Sequence, residues 1–119
     1  RWIFLLNLAH ARLARGEVTG AAALVEELLA SPTASQEPMV AAPAWWILAV
    51  AAADRHDLAA WDRAVARALE VASKSEVVEE DLIEVAEVAA RHMTPLDAER
   101  AAAATRYAEQ KRATLKRGV

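Results

Sequence analysis

Apolar side chains recur at intervals of three and four through most of the chain, the period of an α-helix rather than of a strand. The first such segment runs from Trp2 to Ala14 and stops at Arg15-Gly16, where glycine accepts the left-handed conformation that ends helices. In the second, Glu17 to Ala30, the apolar positions are Val18, Ala21, Ala22, Val25, Leu28 and Leu29. Ser31 to Val40, with two prolines, two serines and a threonine, predicts a loop. A third helix is expected from Pro43, a residue suited to a first turn, to about Arg55, carrying Trp45, Trp46, Leu48, Ala49 and Ala52. After a turn at His56-Asp57, Asp57 caps a fourth helix from Leu58 to Ala72, with a stripe of Trp61, Ala64, Val65, Ala68 and Leu69. Ser73-Lys74-Ser75-Glu76 has capping-box spacing before a fifth helix that ends near His92. Thr94-Pro95-Leu96-Asp97 supplies a cap, a first-turn proline and an acidic third position for a sixth helix reaching Lys116.

Two of these helix pairs repeat each other. Leu8-Ala9-His10-Ala11-Arg12, Gly16, Ala21, Val25 and Leu28 return as Leu48-Ala49-Val50-Ala51-Ala52, His56, Trp61, Val65 and Ala68, every match offset by 40. A constant offset between units of two short helices is how stacked helical hairpins look in sequence. The expected fold is therefore all-α, a single domain over residues 1–119 of three antiparallel hairpins, about 2–30, 43–72 and 76–117.

The pattern resembles the tetratricopeptide repeat, a helix pair of about 34 residues. Leu8-Ala9, Gly16, Ala21, Val25, Leu28 and Pro32 carry the likeness in the first copy, and Trp45, Leu48, Ala49, Val65 and Ala68 in the second. His56 stands where the family has a turn glycine, Trp61 where it has a small alanine, and the third hairpin aligns only loosely. The resemblance implies an α-solenoid whose first helices line a concave surface. That surface would hold Ile3, Leu6, Asn7, His10 and Leu13, then Trp46, Ile47, Val50 and Ala53. It would be an apolar trough suited to an amphipathic helix or peptide, or else one that the chain's own sixth helix or a neighbouring repeat already covers. A carboxylate clamp is not expected, because Ile47 occupies the counterpart of Asn7 and no lysine lies nearby. Adjacent helical residues point about 100° apart, so Trp46 is expected in the trough and Trp45, with Trp61, in the core.

Composition narrows the function classes. Roughly a quarter of the residues are alanine, the strongest helix former, and only three are glycine. A net charge of −3 with both signs mixed argues against a basic nucleic-acid face. Arg106, Lys111, Arg112, Lys116 and Arg117 gather where the negative end of the sixth helix dipole accounts for them. Without cysteine there is no disulfide, thiolate site or thiol nucleophile, and a reducing, cytoplasmic setting fits. The longest early apolar run, Trp2 to Leu6, is far short of the roughly 20 residues that span a bilayer. Apolar around its whole circumference, that run expects neighbours on several sides: upstream repeats of a longer protein, a second copy of the chain, or simply the chain's own core around a densely buried first helix.

Candidate chemistry is sparse. His10, His56 and His92 lie on separate segments without metal-ligand spacing. Asp54-Arg55-His56-Asp57 reads as a polar turn with a capping aspartate. Glu80, Glu84 and Glu87 share a helix face, but no histidine follows at the di-iron spacing, and Glu87 is placed to pair with Arg91. No phosphate loop or nucleophile elbow occurs, so neither an enzyme nor a cofactor is expected. The expectation is a protein-interaction scaffold. The alternative is a ligand-sensing or oligomerising regulatory domain of a bacterial transcriptional regulator, its ligand lodged between Leu6, His10 and Trp46; usage of alanine, arginine and valine over lysine fits a bacterial genome rich in G and C.

Overall fold

The computed structural model describes residues 2–74 and 79–117. Among them are six α-helices and no strand: α1 (Trp2–Ala14), α2 (Val18–Leu29), α3 (Pro38–Asp54), α4 (Leu58–Ala72), α5 (Glu80–Met93) and α6 (Ala98–Arg117), with one 3-10 turn at Ala34–Gln36. Consecutive helices pack on one another within 2–29, 38–72 and 80–117, and α3 also receives α2 on one side and α5 on another.

The first two helix-to-helix turns close with the same hydrogen bonds. After α1, Glu17 N–H donates to Arg12 O (2.9 Å) and Gly16 N–H to Leu13 O (3.0 Å). Forty residues later, Asp57 N–H donates to Ala52 O (2.9 Å) and His56 N–H to Ala53 O (3.0 Å). Both are Schellman closures around one left-handed residue, Gly16 at φ 79° and His56 at φ 59°. Histidine thus adopts the glycine conformation, and the second turn is as tight as the first. Asp57 then caps α4 as expected, its carboxylate accepting from Ala60 N–H at 3.0 Å.

The third turn is built differently. Thr94 is the αR end of α5, its hydroxyl donating to Ala90 O (2.8 Å), and Leu96 and Asp97 N–H both reach Met93 O. Asp97, not Thr94, caps α6, accepting from Arg100 N–H at 2.9 Å. Likewise, Ser73 closes α4, with its hydroxyl on Glu70 O, instead of opening α5. The rest of the predicted capping box, Ser75 and Glu76, lies outside the described residues.

α3 begins five residues earlier than Pro43 suggests. Glu37 caps it through Met39 N–H (3.5 Å) and Pro38 takes the first turn, leaving Pro43 buried inside the helix. Of α3, only Pro38, Met39, Trp45, Leu48 and Asp54 escape full burial. The helix covered on every side is therefore α3 rather than the chain's start, and its alanines let neighbouring backbones approach. On α1, by contrast, Ile3 is 56% and Phe4 69% exposed. No helix among the described residues is long and apolar enough to cross a membrane.

Candidate functional site

The expected trough is filled by the chain itself. Leu6, Trp46, Ile47 and Val50 are buried: α5 packs along α3, and the rings of Trp61 and Tyr107 cover Trp46. Asn7 is exposed and faces away from them, while His10 and Leu13 are half-buried. Those two border a cleft of about 120 Å³ with Ala14, Asp81, Glu84, Val85 and Val88 of α1 and α5. Nε2 of His10 is buried there without a hydrogen-bond partner. Burial pulls the imidazole pKa below its ordinary value, against the carboxylates of Asp81 and Glu84, which raise it.

The tryptophans exchange roles. Trp46 is 1% exposed, edge-on to Trp61 (centroids 6.3 Å, 78°) and 5.4 Å from the Tyr107 ring. Trp45 is the half-exposed one, with the Arg67 guanidinium 5.4 Å from its ring centroid. In a helix covered from every side, register alone does not say which of two neighbours meets solvent.

A larger cavity, of about 210 Å³, lies between α4 and α6. Trp46 and Trp61 form its base, Val65 and Leu69 one wall, and Ala103, Ala104 and Tyr107 the other, with Asp62 and Arg100 at its edge. Its origin is in the repeat. At the position of Trp61 the first copy has Ala21, whose methyl lets α2 pack against α3. The indole instead stands between α4 and the following hairpin, and α4 makes no comparable packing with α5 or α6. A bridge spans the gap: Arg100 Nε and Nη2 donate to the two oxygens of Asp62 (2.9 and 2.8 Å), and Nη1 to Asp97 (2.8 Å). The Arg100 guanidinium holds the Asp62 carboxyl below the usual range, and the Arg100 backbone N–H, with the guanidinium adding to it, does the same for Asp97. Tyr107 is pushed up by burial. Its hydroxyl and Trp46 Nε1 are both buried, and the indole N–H lies close enough to the hydroxyl to offset part of that rise. The substitution of Trp61 for a small residue was the sequence signal for this cavity; Arg100 and Tyr107 had none.

The remaining polar candidates are structural ties. His92 Nδ1 meets Asp54 Oδ1 at 2.6 Å, joining α5 to α3. Arg112 spans Glu80 (3.0 Å) and Glu87 (3.1 Å), so Glu87 is held from α6 and not by Arg91. Among the described residues no three acidic or histidine side chains are grouped to hold a metal ion.

The exposed residues of α1, Ile3, Phe4, Asn7, Ala11 and Ala14, fall three and four apart and form one face. No family model, curated protein or solved structure matches the chain.

Proposed function

We propose that the chain is a protein-interaction module, a stack of tetratricopeptide-like hairpins that binds a second copy of itself through the outer face of α1. One observation carries this reading. Moved forward by 40, the exposed positions Ile3, Phe4, Asn7 and Ala11 become Pro43, Ala44, Ile47 and Ala51, all buried within the helices around α3. The repeat therefore gives α1 a face of the kind that α3 covers, and leaves it open.

A second copy fits that face by size. With α1 antiparallel to its mate about a two-fold axis, Phe4 meets Ala14 and Asn7 meets Ala11, large against small, and the helix dipoles oppose. The test is sedimentation equilibrium over a wide concentration range. A closed dimer is expected, and Phe4→Glu should yield monomer with unchanged helicity. A wild-type chain that stays monomeric at about 100 μM, weaker than most specific interfaces, or one that assembles beyond the dimer, would defeat the proposal. The second reading, a ligand-sensing regulatory domain, is favoured by a separate observation, the aromatic cavity between α4 and α6.

A further inference from the structure

We propose that the cavity between α4 and α6 is a binding site for a small, uncharged aromatic molecule of one or two fused rings. The site shares no residue with the outer face of α1, so the two ideas stand or fall separately.

Size comes first. Apolar cavities of about 150 Å³ take up benzene, and this one, at about 210 Å³, has room for a bicyclic ring. Shape follows from the walls. Beside the flat ring of Tyr107, Ala103 and Ala104 contribute only methyl groups to the α6 side, leaving a slot against Val65 and Leu69 that a flat molecule would fit. The indoles of Trp46 and Trp61, at 78° to each other and almost wholly buried, close the base, so that a ring in the slot meets aromatic atoms at its floor. Leu69 stands 42% exposed at the rim, an apolar side chain that such a ligand would cover.

Charge excludes the alternatives. Arg100 is engaged through all three guanidinium nitrogens by Asp62 and Asp97. An anion would face two carboxylates against one spoken-for cation. A cation would have to take Asp62 from a two-point pairing with Arg100, which is stronger than a single contact. A neutral ring disturbs neither.

The experiment follows the indole N–H resonances of Trp46 and Trp61 in the full chain by NMR, assigned by single Trp→Phe variants. The probes are indole, its anionic analogue indole-3-carboxylate and its cationic analogue tryptamine. Indole should shift both resonances saturably at about millimolar concentration or below, in keeping with the few atoms it offers. The charged analogues should bind at least about tenfold more weakly, since each must desolvate its charge or break the ion pair. Ala103→Phe, at an exposed α6 position, fills the slot and should abolish the shifts while leaving the melting temperature in place. If that variant melts early, Leu69→Ala, which removes only the rim, should weaken indole binding and serves instead. Absence of saturable shifts with indole, equal binding by both variants, or tighter binding of either charged analogue would each overturn the assignment.

Discussion

Replacing His56 by glycine should stabilise the protein. His56 holds φ at 59° to close the turn between α3 and α4, and a left-handed conformation costs an L-residue about 1–2 kcal/mol. Glycine is free of that strain but has more freedom to lose on folding, which returns about 0.5–1 kcal/mol. The imidazole is exposed, so little packing is forfeited. The balance is a gain of about 0.5–1 kcal/mol, or a rise in melting temperature of about 2–5 °C for a chain of this size. The equivalent position tests the same physics in reverse. A Cβ added at Gly16 meets nothing within 4 Å, so Gly16→Ala carries only the backbone term and should lose a similar amount. Thermal melts followed by circular dichroism, with urea titrations for the free energies, measure both. A lower melting temperature for His56→Gly, or an unaffected Gly16→Ala, would refute the claim that the two turns are one motif under the same constraint.

Trp46→Ala should lose about 3–5 kcal/mol in urea unfolding, as buried aromatic truncations do. Trp45→Ala, half-exposed and held from outside by Arg67, should lose about 1–2 kcal/mol; equal losses would contradict the burial of the pair. The folded state depresses His10 through burial, so the unfolded chain binds the proton more readily. Stability is then fully present above the ordinary imidazole value of 6.5 and declines as pH falls below it toward the folded value. The urea midpoint should drop between about pH 7 and pH 5, and His10→Asn should flatten part of that slope; an unchanged slope would remove His10 from the account.

Helix existence was legible throughout because it is a local property, set by spacing and by alanine. Ends were legible where one residue decides them, as at Gly16 and Asp57, and misplaced where two residues compete. Thr94 and Asp97 are both good caps, and the choice went to Asp97 because Arg100 pins its carboxylate from two directions. Pro43 misled because proline marks first turns, yet Glu37-Pro38 offers an earlier cap and the core tolerates the lost hydrogen bond. The trough failed for a tertiary reason. Nothing in the spacing of Leu6, Trp46, Ile47 and Val50 says that later helices will pack along α3 and close over it. Arg100 and Asp62 are 38 residues apart, a partnership that no local pattern encodes.

The alanine sheath of α3 governs how this molecule can vary. Ala41, Ala42, Ala44, Ala49, Ala52 and Ala53 are all buried and each ends in a single methyl, with no rotamer through which it could yield to a larger neighbour. An added carbon there is answered only by whole helices moving apart. Divergence is thereby steered to the periphery, and relatives of this chain should differ in what α1 and α6 show to the outside while keeping small residues along the central rod.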